Sequence, residues 1–343
     1  MIIVMEAGAT EEQLKEVVNR IQELGYTPHI IRGETRNVVG AIGDEREKTR
    51  LQYMEALPGV ERVLPILRPY KLASIEVKDE RAGERTIVEV APGVSFGGRK
   101  VTVIAGPCSV ETKDVMLEAA RAIKAAGASV LRGGAYKPRT SPYSFQGLEE
   151  EGLKILAEAR EETGLPVVSE VVNPEDVDLV AEYCDMLQVG ARNVQNFALL
   201  KRLGSVKNPI LLKRGMMTNI EEFLMSAEYI LSAGNTKVVL CERGIRTFET
   251  ATRNTLDISA VPVLQEKTHL PIIVDPSHAS GAWQYVKALS CASVAAGADG
   301  LMVEVHPNPE RAWCDGPQSL KPTKFAELMK DLGRFADAAG RSV

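Results

Sequence analysis

The chain has 343 residues, 45% of them hydrophobic and 25% charged, too long for one ordinary domain but sized for a barrel of about 250 residues plus a module of under about 100. A net charge of −5 (41 basic against 46 acidic residues) argues against a nucleic-acid surface. With no apolar run near the ~20 residues that cross a bilayer and no cleavable signal after Met1, a cytoplasmic protein with no membrane partner is expected.

Taken in chain order, apolar runs and breakers predict a strand over Ile2–Met5, a helix over Glu11–Leu24, strands over Thr27–Ile31 and Asn37–Ile42, a helix over Asp44–Leu57 and a strand over Val60–Pro65. That βαββαβ order is the ferredoxin-like split unit. The first helix begins after Thr10, carries Glu11 and Glu12 in its first turn where the helix dipole favours negative charge, and stops at Gly25. His29 falls on the second strand, where it is read either as a partly exposed strand histidine or as a contact for an effector. After Arg68-Pro69-Tyr70 a polar stretch with Lys78, Asp79, Glu80, Arg81 and Gly83 separates two hydrophobic patterns. The expected organisation is a regulatory domain over residues 1–70, a linker over 71–85 and a catalytic barrel over 86–343.

A short hairpin, Thr86–Val90 with Val94–Phe96, precedes eight strand-like runs alternating with helical segments: Val101–Ala105, Ser129–Arg132, Pro166–Glu170, Met186–Val189, Ile210–Lys213, Lys237–Cys241, Ile272–Asp275 and Gly300–Val305. Near-continuous apolar strands joined through helices signal a parallel sheet covered on its outside, and eight can close into a (β/α)8 TIM barrel. The active site of such a barrel lies at the carboxyl ends of its strands.

The residues at those ends fall into two chemical kinds. Arg132, Lys137, Arg139, Arg192, Lys213, Arg214, Arg243 and Arg246 follow four of the strands, and so many like charges at one mouth point to multiply anionic ligands such as phosphates and carboxylates. Cys108, His278, Glu304 and Asp315 follow the first, seventh and eighth strands. This mixture of soft, borderline and hard donors suits a divalent manganese, iron, cobalt or zinc ion. The five cysteines, Cys108, Cys184, Cys241, Cys291 and Cys314, are scattered without CxxC pairs, so a disulfide framework is not expected. Phosphate-loop, dinucleotide, HExxH and GxSxG signatures are all lacking.

The stretches AGPCS at 105–109, LRGGAYKPRTSPYSFQG at 131–147, QVGARNVQNF at 188–197, LLKRG at 211–215, CERGIRTFE at 241–249, DPSH at 275–278 and EVHP at 304–307 together resemble the type I 3-deoxy-D-arabino-heptulosonate 7-phosphate (DAHP) synthases. The resemblance is narrower still to the subgroup with an N-terminal ferredoxin-like domain. It implies a transferase of the shikimate pathway of aromatic amino acid biosynthesis, joining phosphoenolpyruvate to erythrose 4-phosphate in a metal-dependent, aldol-type condensation. By the same resemblance Cys108, His278, Glu304 and Asp315 are the metal ligands, Arg132, Lys137, Arg192, Lys213 and Arg243 bind phosphoenolpyruvate, and Arg139, Thr140 and Ser141 hold the sugar phosphate. Lys137 is also the expected proton-transfer residue, on the argument that neighbouring cations depress a lysine pKa. The resemblance further implies a homotetramer and an aromatic amino acid effector, with His29 at a matching position and Ile31 where relatives can carry a hydroxyl. The alternatives are 3-deoxy-D-manno-octulosonate 8-phosphate synthase, which uses arabinose 5-phosphate and has a KANRS-type stretch in place of Lys137-Pro138-Arg139-Thr140-Ser141, and a non-catalytic metabolite-sensing barrel.

Overall fold

The structure, a computed structural model, describes residues 1–33, 36–43, 49–64, 69–77, 85–138 and 141–343. Arg139, Thr140, Arg68, the polar run at 78–83, the start of the helix predicted from Asp44 and the last residue of the strand predicted to Pro65 lie outside the described residues. Two compact units result, Met1–Glu84 with Lys267–His269, and Arg85–Glu266 with Leu270–Val343.

The first unit is an antiparallel sheet of β1 (Ile2–Met5), β2 (Thr27–Arg32), β3 (Asn37–Ile42) and β4 (Val60–Leu64) in the order β2-β3-β1-β4, the ferredoxin-like arrangement expected from the element order. Helix α1 (Glu11–Glu23) opens with a capping box: the Thr10 hydroxyl accepts the Gln13 backbone N–H, and the Gln13 side chain accepts that of Thr10. Leu14, Val17 and Ile21 lie on one face of α1 and pack against Ile3, Met5, Val39 and Val63. The alternate residues Ile2, Val4 and Val38 turn to the other face and cluster with Val77. Of the helix predicted over Asp44–Leu57, the described residues hold α2 (Thr49–Gln52), which runs on as a single 3-10 turn over Tyr53–Ala56. Pro58 and Gly59 follow at once, so the helix has no room to continue and its last turn tightens.

In the second unit the hairpin β5 (Val88–Ala91) and β6 (Val94–Phe96) comes first. Eight parallel strands follow and close on themselves: β7 (Thr102–Gly106), β8 (Val130–Arg132), β9 (Val167–Val171), β10 (Met186–Val189), β11 (Ile210–Lys213), β12 (Val238–Glu242), β13 (Ile272–Val274) and β14 (Gly300–Glu304). Closure is made by the pairing of β14 with β7, from Gly300 against Thr102 to Glu304 against Gly106. Every residue of these strands is buried, which is why they appear as unbroken apolar runs rather than alternating ones. The intervening helices α3 (Lys113–Ala125), α4 (Glu149–Thr163), α5 (Val177–Tyr183), α6 (Phe197–Leu203), α7 (Ile220–Ser232), α8 (Ala260–Lys267), α9 (Pro276–Ser280), α10 (Trp283–Ala295) and α11 (Pro322–Ala338) complete the barrel.

Each barrel strand contributes to one interior cluster: Ile104, Val130, Val168, Met186, Leu211, Val239 with Cys241, Ile273 and Met302. Val88 and Phe96 of the hairpin join the same cluster. The lower barrel is therefore a filled core, and polar chemistry is left to the carboxyl ends.

Candidate active site

The strand ends carry side chains that cost free energy to bury unless paired. Arg132 closes β8, Lys213 closes β11 and Glu304 closes β14, and all three are almost wholly buried. Each has found an opposite charge. Arg132 pairs with Glu304 and donates to the Cys108 carbonyl at 3.4 Å, while Lys213 pairs with Asp275 at 2.5 Å.

Cys108, His278, Glu304 and Asp315 offer one donor atom each, all within 4.8 Å of one another. The Cys108 Sγ lies 3.2 Å from Asp315 Oδ2, and His278 Nε2 lies 3.2 Å from Glu304 Oε1. His278 is aimed by Asp275, whose Oδ2 sits 2.7 Å from the ring Nδ1 and whose Oδ1 accepts the His278 backbone N–H at 2.9 Å. Gln318 donates to Glu304 Oε2 at 2.7 Å. Asp315 itself adopts φ 51°, in the left-handed region where few non-glycine residues sit.

The protonation preferences suit a cation. Burial lowers the His278 pKa, although Asp275 and Glu304 oppose it, so the imidazole is held neutral. Burial works against charge on Asp275, Glu304 and Asp315, but in acid, where His278 carries its proton, that ring, seconded by Lys213, Arg132 and Arg253 respectively, outweighs it and holds all three below the usual carboxylate range. The Cys314 thiol, 3.4 Å away, and then burial push the Cys108 thiol well up, with Lys137 and Arg132 pulling the other way. A neutral imidazole, two carboxylates and a thiol that would lose its proton on binding fit a divalent transition ion.

Beside this set a cavity of about 270 Å³ is lined by Arg132, Lys137, Arg192, Lys213, Arg243 and Arg253, with Ser141, Ser144, Glu170 and Asp315 also on its wall. The Lys137 ammonium reaches the Cys108 Sγ and carbonyl oxygen, both at 3.2 Å. Burial works against its charge, yet Cys108, Glu170 and Cys314 raise its pKa, so the expectation of a depressed lysine does not hold here. Arg243 is 5% exposed, its Nη1 is buried without a hydrogen-bond partner, and burial lowers its pKa. Arg192 is exposed at the rim and makes no ion pair among the described residues. Among the described residues, Lys137, Arg192 and Arg243 of this lining make no ion pair with a carboxylate.

Two expected cations do not face the cavity. Arg214 is committed to Glu242 at 2.9 Å and Asp257 at 2.8 Å, and Arg246 is exposed and absent from the lining. Three contributors were not singled out in the sequence. Arg253 bonds Asp315 Oδ1 at 3.3 Å and Gln318 at 2.9 Å. Glu170, held by Gln188 at 3.2 Å, sits so close to Gly190 that a Cβ there would fall 1.9 Å from its carboxylate oxygen. Asp275 was visible as the end of the predicted strand Ile272–Asp275 and the first residue of the DPSH stretch, with no role assigned to it. His29 lies half-buried on β2, and burial lowers its pKa.

Comparison with known proteins accounts for both units. The family model described as the DAHP synthetase I family matches residues 78–338, and that of the DAHP synthase ferredoxin-like domain matches residues 1–68. The phospho-2-dehydro-3-deoxyheptonate aldolase of Thermotoga maritima is 51% identical over 343 residues, 100% of both chains. A crystal structure of the phospho-2-dehydro-3-deoxyheptonate aldolase (DAHP synthase) from Thermotoga maritima matches with a TM-score of 0.78 at 50% identity, covering 100% of this chain and 98% of that one. The 2-dehydro-3-deoxyphosphooctonate aldolase of Syntrophobacter fumaroxidans is more distant, 33% identical over 258 residues, 70% of this chain and 88% of its own. With a model covering most of the barrel, a second covering the front unit and a relative alike from end to end, the chain belongs to the DAHP synthetase I family.

Proposed function

We propose that the chain condenses phosphoenolpyruvate, water and erythrose 4-phosphate into DAHP and inorganic phosphate. The observation that carries this reading is a cation-lined cavity, in which Arg192 and Arg243 make no ion pair with a carboxylate among the described residues, set against four converging metal-type donors of which His278 and Asp315 reach its wall. Arg192, Lys213 and Arg243 bind the phosphate and carboxylate of phosphoenolpyruvate, with Arg132 behind them. Ser141 lines the cavity, and with Arg139 and Thr140 it holds the sugar phosphate. Cys108, His278, Glu304 and Asp315 would hold a manganese, iron, cobalt or zinc ion, which when bound supplies a Lewis acid and a template for the aldehyde.

Carbon 3 of phosphoenolpyruvate attacks the aldehyde carbon, water adds at carbon 2, and the carbon–oxygen bond to phosphate breaks. Each phosphate group brings close to two negative charges, so the cations offset repulsion between the reactants and keep the reacting carbons near each other. Lys137, held charged, serves as a proton donor to the oxygen that becomes a hydroxyl.

The front unit binds an aromatic amino acid as effector, with His29 as a contact. Four chains assemble as a tetramer. The setting is the cytoplasm, where the five cysteines, none of them in a disulfide, stay reduced. The test is phosphate release from phosphoenolpyruvate with erythrose 4-phosphate against arabinose 5-phosphate, with and without chelator and each aromatic amino acid. Release that needs erythrose 4-phosphate and stops with chelator is expected. Preference for arabinose 5-phosphate would support the octulosonate reaction, and no release with either would support a metabolite sensor.

A further inference from the structure

Cys108, Glu304 and Asp315 reach the proposed metal site from three separate stretches of backbone: the turn after β7, the end of β14 and the loop beyond it. Side chains so far apart in sequence converge only if something holds these stretches in register. One buried carboxylate belongs to the first and touches the other two. Glu111 stands three residues past Cys108, its side chain is 4% exposed, and it neither lines the cavity nor offers a donor to the metal-type set.

Both of its oxygens are in use. Oε1 accepts the Trp313 backbone N–H at 2.7 Å, two residues before Asp315, and Oε2 lies 3.3 Å from His306 Nε2, two residues after Glu304. The His306 tautomer follows from its surroundings. Its Nδ1 accepts the Asn308 backbone N–H at 3.0 Å, so the ring proton of the neutral imidazole sits on Nε2 and points at Glu111. Asp315 has a left-handed backbone, φ 51°, which an aspartate keeps only when the chain on both sides is fixed. On the far side the Asp315 carbonyl accepts the Gln318 N–H at 3.2 Å and the Ser319 hydroxyl at 3.3 Å. On the near side the Trp313 N–H is held by Glu111.

We propose that Glu111 is a positioning residue that ties the Cys108, Glu304 and Asp315 segments together through His306 and the Trp313 amide, preorganising the metal site from behind. This rests on the reading of those residues as ligands. Partners behind a ligand set commonly change metal affinity by about 10- to 100-fold.

The test is a cobalt(II) titration of the metal-free full-length protein, read by the thiolate-to-cobalt absorption band, beside steady-state kinetics. The variant Glu111→Gln keeps the shape but turns an N–H toward one of two donors, so one of the two bonds is lost in either orientation. About tenfold weaker cobalt binding or more is expected, with kcat recovering toward the parent at saturating metal and KM for phosphoenolpyruvate within twofold, since Arg192, Lys213 and Arg243 are untouched. Glu118→Gln, an exposed change on α3, controls for lost charge and binds as the parent does. Cobalt affinity of Glu111→Gln within twofold of the parent would overturn the proposal. A parent that binds cobalt without the thiolate band would instead refute the ligand reading and this inference with it. If Glu111→Gln does not fold, His306→Gln and His306→Ala give the same answer. The first keeps a donor near the Nε2 position and binds like the parent, the second binds more weakly, and equal affinities would overturn the idea.

Discussion

Lys137 and Arg243 share a cavity but are held in opposite ways, and that difference separates their expected effects. Lys137 lies against the Cys108 thiol and carbonyl and is kept charged, so its loss removes the proton donor proposed above. Lys137→Ala should lower kcat by about 100-fold or more, the range of positioned acid catalysis, while changing metal affinity far less. Steady-state rates within a few-fold of the parent would contradict the assignment. Arg243 is buried with an unsatisfied Nη1, an arrangement that destabilises the empty protein and becomes favourable once an anion fills the cavity. Arg243→Ala should raise KM for phosphoenolpyruvate by about 10- to 100-fold, the equivalent of one charge-assisted hydrogen bond, and leave the melting temperature level or higher. A lower melting temperature with KM unchanged would make Arg243 structural. The positions of Arg132 and Lys213 at strand ends could be seen in the sequence, because an apolar run that stops at an arginine or lysine marks its own end. Their partners could not. Arg132 with Glu304 and Lys213 with Asp275 are 172 and 62 residues apart, and such pairs exist only once the barrel has closed.

At the scale of elements, two features outside the chemistry support the site. The β5–β6 hairpin places Phe96, fully buried, in the cluster to which all eight barrel strands contribute. Phe96→Ala removes a large side chain from a core with little freedom to collapse, and about 3–5 kcal/mol of stability should go with it. Thermal unfolding would show this as a lowered midpoint, with kcat unchanged at temperatures where the variant stays folded; a midpoint equal to the parent's would mean the hairpin is not part of the core. The second feature is the long loop between β12 and α8, tied down by Arg214 through Glu242 and Asp257. Burial works against charge on Asp257, but the Ser259 hydroxyl and Arg214 outweigh it and lower its folded pKa. A lowered folded pKa gives stability that is complete above the unfolded value near 3.9 and is lost as acid passes the folded one. Asp257→Asn should therefore melt lower than the parent at neutral pH, and the gap should narrow below about pH 4; a gap constant down to pH 3 would refute the link. This loop is also where the sequence was least informative. The residues from Arg243 to Ser259 include no regular element, so no periodicity indicated that Arg253 returns to Asp315 while Arg214 and Arg246 turn away. The strands were legible to within a residue or two because burial on both faces leaves mostly apolar side chains. The helix predicted to Leu57 tightens into a 3-10 turn from Tyr53, a change that periodicity does not signal.

For the whole molecule, the separation into two units bears on what each can do alone. The first has its own core, Ile3, Met5, Leu14, Val17, Ile21, Val39 and Val63, and the second has the barrel interior. Every donor of the metal-type set and every described residue lining the cavity lies between Cys108 and Asp315, inside the second unit. Catalysis and effector recognition should therefore come apart when the chain is cut. A protein beginning at Arg85 keeps the hairpin, the eight strands and all the proposed site residues. It should fold, bind cobalt with the thiolate band and release phosphate with kcat within about tenfold of the full chain, the scale of an effect from outside the site rather than from loss of a catalytic group. Any inhibition of the full chain by an aromatic amino acid should be absent from the cut protein and weakened in the full-length His29→Ala variant. If the cut protein is still inhibited, the effector binds the barrel and the regulatory reading of the front unit is wrong. If it folds and binds cobalt but does not turn over, the front unit contributes to the reaction itself and the division of labour between the two units fails.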